Sequence, residues 1–256
     1  MLRLSIAACS VALAAHVYRS PTPAPGSPVL DTIQAGDSIL DARRLQPFTL
    51  ERHLMMTRGD TVKPWGVQSE QLSPASLDGN PVLLDVLTFD TPRAKTVDSS
   101  WVDARTLRPI RMRSTNASRV VSLEFDGTRV RGGTSPSTGA PTVLDRRLDV
   151  RPFEWNTFGL AVAALPLRPG YRARMPLFMD RFDRIIWYKV EVLRDTSLVR
   201  PSGFKAPMWE VVATADSIAP SARFWVSRRH GLVDQVFVWE EGVSIMYARK
   251  ISPAGR

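Results

Sequence analysis

The 256-residue chain contains one cysteine, Cys9. An internal disulfide, a cysteine-based zinc site and a Cys-x-x-Cys redox motif are therefore excluded by counting. Glycines are too sparsely placed for phosphate-cradling loops. No two are separated by a single residue, and no Gly-Lys pair exists, so neither dinucleotide nor P-loop fingerprints can be drawn. A Gly-x-Ser-x-Gly nucleophile elbow is absent too. The three histidines, His16, His53 and His230, have none of the spacings of a pre-arranged zinc site. Lysine is scarce as well, since 29 of the 34 cations are arginine. No apolar run reaches the roughly 20 residues of a membrane-spanning helix.

What is present is a globular composition, 44% hydrophobic and 23% charged, with a net charge of +9. Such a chain buries a core and fits one domain. Residues 1–15 carry a lone cation, Arg3, followed by a small, apolar run through Ala15, the pattern of a secretory signal peptide. A lipoprotein signal ending at Cys9 is the competing reading; only eight residues precede that cysteine and apolar residues continue past it. Residues 16–36 include four prolines between Pro21 and Pro28 and are expected to form an extended tether. The folded domain is expected over 37–251, with a tail at 252–256 and no membrane span once the signal is removed.

Along the domain the main signal is period-two alternation, the mark of antiparallel strands. The clearest run, 184–195, places Ile186, Tyr188, Val190 and Val192 on one face, with Trp187, Lys189 and Glu191 on the other. Further runs lie at 49–57, 82–89, 96–103, 119–125, 208–218, 223–227, 233–239 and 243–248. Tight turns are expected at Gly59, Gly127, Gly231 and Gly242. Residues 153–165 lack alternation and stop before Pro166, which predicts a helix with a buried second half. A weaker helix is expected at 38–45, capped by Asp37, and a loop at 132–141. The fold class is mainly β.

Chemistry is thinly signalled. His53 could act as a general base, but a lone strand histidine is more often packed or half-exposed. His230 reads as part of a turn. Asp180, Asp183, Glu210, Glu240 and Glu241 could supply paired carboxylates for a hydrolase, and otherwise are solvated charges. Arginine clusters at 105–113, 146–151 and 168–174 suit anions if they converge in space, and reflect base composition if they do not. Trp101, Trp155, Trp187, Trp209, Trp225 and Trp239 fall on predicted elements, and most should be core or cover. The expectation is therefore a non-enzyme without cofactor or metal. Long apolar sheet faces with one helix to cover them can leave a cavity for an apolar ligand. Its candidate lining is Tyr188, Val190, Val192, Trp209, Val211, Phe224 and Val226, facing Phe158 and Val162 of the helix.

The order of these features is familiar. Trp101-Val-Asp-Ala-Arg-Thr-Leu-Arg-Pro109 resembles the D-x-x-T-L-x-P strand and turn of exported bacterial proteins in domain of unknown function family 3108. The order continues with a strand at 121–126, a helix ending Leu165-Pro-Leu-Arg-Pro-Gly170, strands at 186–193 and 225–227, and the last hairpin, spanning about residues 95 to 250. Where the family carries Asp-Pro-x-Ser at its helix start, this chain has Arg151-Pro152-Phe153-Glu154. The resemblance implies a curved antiparallel sheet wrapped around one helix, similar to the half-barrels of periplasmic lipoprotein carriers, and implies no known activity. The expected role is an exported envelope protein holding a lipid or acyl chain in its half-barrel. The alternative is a protein–protein interaction module without a small ligand. Neither reading involves nucleic acid.

Overall fold

In the computed structural model, residues 30–199, 205–216, 221–228, 233–240 and 243–250 are described. The signal peptide, most of the tether, Cys9, His16, the turns at 230–231 and 241–242 and the tail lie outside them. The strands are β1 (Asp31–Thr32), β2 (Phe48–Arg58), β3 (Thr61–Leu77), β4 (Asn80–Asp90), β5 (Lys95–Asp103), β6 (Pro109–Asn116), β7 (Arg119–Asp126), β8 (Arg129–Pro136), β9 (Thr142–Arg147), β10 (Phe153–Glu154), β11 (Arg172–Met179), β12 (Arg184–Val199), β13 (Lys205–Ala215), β14 (Ser221–Ser227), β15 (Val233–Glu240) and β16 (Val243–Lys250). One α-helix, α1 (Phe158–Ala164), accompanies them.

All sixteen strands belong to one sheet. Two antiparallel meanders, β2 to β9 and β11 to β16, are joined where β16 pairs β2, so the two ends of the domain close against each other. The remaining junction stays open: β9 pairs β8, while β11 is flanked by short parallel pairings to β1 and β10. The sheet curls past itself instead of closing. Leu177 and Phe178, neighbours in β11 that point to opposite faces, belong to different cores. Leu177 packs in the main core with α1; Phe178 packs under Met112, Leu123 and Phe125 of the opposite sheet end, 6.3 Å ring to ring from Phe125. The roll is held there by side chains, including the pair of Arg146 with Asp183.

The expected helix over 153–165 is shorter than predicted. Phe153 and Glu154 pair with Leu177 and Phe178 as a strand, and α1 occupies only Phe158–Ala164. Pro166 forces the preceding Leu165 into extended backbone, φ −67 and ψ 153, which ends it. The helix expected at 38–45 reduces to a 3-10 turn, Ala42–Arg44, and its cap is Asp41, not Asp37. The domain also starts earlier than 37, because Ile33 and Ala35 are buried in the main core. The expected loop at 132–141 is half strand. Gly132 and Gly133 lie within β8, where an added Cβ would meet the carbonyl oxygens of Ser122 and Thr142 at 1.9 and 2.0 Å. These glycines mark close strand approach, not a loop.

Sequence patterning passed over β3, β6, β8, β9 and β11. The longest, β3, carries Pro64 and Pro74 in a central strand; Pro64 sits at a register shift between Leu54 and Met55 of β2, where a missing donor is tolerated. The D-x-x-T-L-x-P segment folds as a turn with a clear cause. One carboxylate oxygen of Asp103 accepts from the Arg105 and Thr106 N–H groups and the Thr106 hydroxyl, at 2.8 to 3.0 Å. Leu107 is thereby held at φ 54 with its side chain in the main core.

Candidate functional site

The apolar lining drawn from sequence comes together completely. Tyr188, Val190 and Val192 of β12, Trp209 and Val211 of β13, and Phe224 and Val226 of β14 share one face, as the pairings of Val192 with Val211, Val211 with Phe224 and Trp209 with Val226 require. Phe158 and Val162 of α1 cover it, with the Phe158 ring 5.1 Å from Tyr188 and 5.8 Å from Phe224. All nine are buried in one core. Val162, Tyr188, Val190, Val211, Phe224 and Val226 have no accessible surface at all. A side chain that no water-sized probe can touch has no such void beside it, so in this conformation the wall is filled by α1. Burial also holds the Tyr188 phenol above its ordinary titration range.

The other half of the inner face mixes buried polar side chains with apolar ones, which sequence patterning did not anticipate. Reading across the strands, one row runs Leu50, Glu70, Leu87, Asp98 and the next runs Leu72, Asp85, Ser100, Met112. Arg52 and Gln68 form a third, paired with each other across β2 and β3. Glu154 of β10 comes down onto this floor and accepts the Ser100 hydroxyl at 3.0 Å. Its carboxylate also takes the N–H groups of Asn156 at 2.8 Å and Thr157 at 3.2 Å, the residues that lead into α1. Arg52, Gln68, Glu70, Asp85, Asp98, Ser100, Glu154 and Thr157 are all buried.

This interior is short of positive charge. Arg52 bonds Glu70 and reaches Gln68 Oε1 at 3.5 Å, leaving Asp85, Asp98 and Glu154 to be balanced by other means. Both oxygens of Asp85, one of Asp98 and the amide nitrogen of Gln68 have no hydrogen-bond partner. Desolvation pushes the Asp85 carboxyl well up, reinforced by Glu70 and Glu154 and opposed by Arg52. Desolvation likewise raises Glu154 to about 7, against the lowering effect of the Asn156 N–H, the Ser100 hydroxyl and the Thr157 N–H. Asp98 is raised by burial and partly restored by the Ser114 hydroxyl. Among the described residues no group of three or more His, Cys, Asp or Glu is arranged to hold a metal ion.

The remaining sequence candidates stay apart. His53 is exposed on β2, and His230 lies outside the described residues. Glu210 is buried between Arg194 at 2.6 Å and Arg223 at 2.7 Å. Asp180 and Asp183 flank a surface turn; Glu241 and the side chain of Glu240 fall outside the description. Several of the clustered arginines are paired with acids or rings, and Arg108 and Arg151 of two different clusters meet at Gly36. Arg111 pairs with Glu124, Arg146 with Asp183, Arg151 with Asp37 and Arg172 with Glu191, while Arg174 stacks 4.3 Å above Trp187. Trp101, Trp155, Trp187 and Trp225 are half-buried cover and Trp209 is core.

Sequence signals for the polar floor existed. Asp85 lies in phase with Leu83 and Leu87, and Glu70 in phase with Leu72, so each acid occupies an inward position of its strand. Among known proteins, the family model described as "Protein of unknown function (DUF3108)" matches residues 69–241, a span holding Glu70, Asp85, Asp98, Glu154 and the apolar wall but not Arg52 or Gln68. A solved structure from Brucella abortus, titled a beta-barrel-like protein of domain of unknown function DUF1849, is similar in fold. Its TM-score is 0.54 at 13% identity, covering 81% of this chain and 97% of that one. No curated protein matches the sequence.

Proposed function

The chain belongs to the DUF3108 family of proteins of unknown function, and on that premise we propose that it is an exported, non-catalytic cell-envelope protein that binds a lipid or other amphiphile inside its rolled sheet. The observation that carries this reading is the division of the inner face. An uninterrupted apolar wall from β12 to β14 adjoins a floor from β2 to β5 in which buried Arg52, Gln68, Glu70, Asp85, Asp98 and Ser100 are set among leucines, with α1 packed on the wall. An amphiphile presents the same two chemistries, an apolar chain for the wall and a polar head for the floor. Because Phe158 and Val162 occupy the wall, the acyl chain would enter by replacing α1, a helix of seven residues, and the unclosed seam beside β9 supplies the slack. Export rests on the leader-like first fifteen residues, and the non-catalytic character on the missing nucleophile and metal motifs.

The test is native mass spectrometry, with organic extraction, of protein purified without detergent from the envelope of an expressing bacterium. Stoichiometric co-purified lipid supports the reading; a lipid-free protein that also fails to take up lipid from anionic and zwitterionic vesicles sinks it. One observation favours a second reading, an envelope interaction module. Strand β9 is paired on one side, and its Val143 is 88% exposed, so a partner strand could add there. Crosslinking in envelopes that returns a protein partner at β9, from lipid-free material, is the outcome that selects it.

A further inference from the structure

We propose that Asp85 and Glu154 form a proton-operated latch, which seats β10 and α1 against β4 and β5 when both carboxyls are neutral and unseats them when they ionise. The geometry is that of a joint between two bodies. Glu154 belongs to β10 and holds the N–H groups of Asn156 and Thr157, so its position fixes the start of α1. Its partner across the joint is Ser100 of β5, and Ser100 lies directly opposite Asp85 in the β4–β5 pairing. A carboxyl of the plug therefore sits on a serine whose cross-strand neighbour is a second buried carboxyl.

Ser100, Asn156 and Thr157 donate to Glu154, whereas Asp85 has no donor, and the charged groups facing the pair offer little further compensation. From β2 comes Arg52, already bonded to Glu70 of β3. From β3 come Glu70 and Gln68, from β5 Asp98 and Ser100, and from the segment after β10 the Thr157 hydroxyl. Asp98 in turn feels Ser114, Asp180 and, from β7, Arg119. If all four acids ionised, four negative charges would share an interior whose cations are Arg52 beside Glu70 and Asp85 and Arg119 beside Asp98, with no accessible surface at Asp85. Like charges in a low dielectric cannot all persist, so ionisation must be relieved by proton uptake or by separation. Separation here means lifting Glu154, and with it α1, off the floor. Gln68 adds to the polar mismatch of this interior: its amide nitrogen is fully buried and has no protein hydrogen-bond partner.

The latch stands whether or not a lipid is bound, so its failure and that of the carrier reading are separable. The experiment is amide hydrogen exchange on the ligand-free mature protein between pH 4.5 and 8, with rates corrected for intrinsic exchange. In the wild type, protection over residues 153–165 should fall by roughly 100-fold as pH rises to about 7, the span set by the Glu154 carboxyl. Glu154→Gln combined with Asp85→Asn should flatten that fall. Should the double variant fail to fold, Asp85→Asn alone should shrink it, and a 13C carboxyl titration of the wild type should place Glu154 near 7. Protection independent of pH in the wild type, an undiminished fall in the variants, or a Glu154 midpoint near an ordinary glutamate's would each overturn the latch.

Discussion

At the scale of single residues the polar floor sets the energetics. Glu154 has a folded-state pKa of about 7 against an ordinary 4.5, so the folded state binds the extra proton between those values. Its contribution is fully present below pH 4.5 and lost as pH rises to about 7; the shift corresponds to about 3 kcal/mol. Urea unfolding of the wild type should therefore show stability declining across that window, and Glu154→Gln should remove most of the decline. Arg52 behaves oppositely to the surface arginines. Arg52→Ala strands Glu70 in the interior and should cost about 3–5 kcal/mol, whereas Arg129→Ala, breaking an exposed, solvent-screened pair with Asp145, should leave stability nearly unchanged. Replacing Arg52 and Glu70 together by Met and Leu should recover most of the first loss, because the Glu70 charge leaves together with its partner. Equal losses for Arg52→Ala and Arg129→Ala would show that the interior is wet.

At the scale of elements, strands with clear period-two alternation were readable, and the unalternating strands and the closure of β16 on β2 were not. The run at 184–195 is legible because Ile186, Tyr188, Val190 and Val192 alternate with polar neighbours, and β12 follows it. The passed-over strands share a cause: β11 is buried on both faces over much of its length, so Met175 through Met179 show no alternation. β8 misleads through Gly132 and Gly133, whose absence of side chains signals proximity of Ser122 and Thr142, information that resides in other strands. Gly132→Ala, at φ 141 and with no room for a Cβ, should therefore destabilise the β7–β8 pairing by about 1–3 kcal/mol, seen as faster amide exchange over 119–136 than over 184–192. The short α1 teaches the same lesson from the other side: Phe153 and Glu154 continue the helical composition but pair with Leu177 and Phe178 instead.

At the scale of the whole molecule, the rolled sheet with its overlapping seam turns two half-faces into one interior. The apolar wall is packed to zero accessible surface at Val190, Val211 and Phe224, so capacity for a ligand has to come from moving α1. Phe158→Ala removes the ring that covers Tyr188 and Phe224; it should lower stability by about 3–5 kcal/mol while increasing the lipid that co-purifies. Unchanged lipid content in a folded Phe158→Ala protein would separate the wall from ligand binding. No helix among the described residues is long and apolar enough to cross a membrane.

The sequence by itself determined the β class, the helix stop at Pro166, the turn at Asp103 to Pro109 and the membership of Tyr188, Val190 and Phe224 in one apolar face, because each depends on neighbours within a few residues. The tertiary structure alone decided that Asp85, Glu70, Asp98 and Glu154 meet. Their encounter depends on register across four strands and on where the chain returns after β9, and the cost of burying them is a property of the assembled interior, not of any local segment.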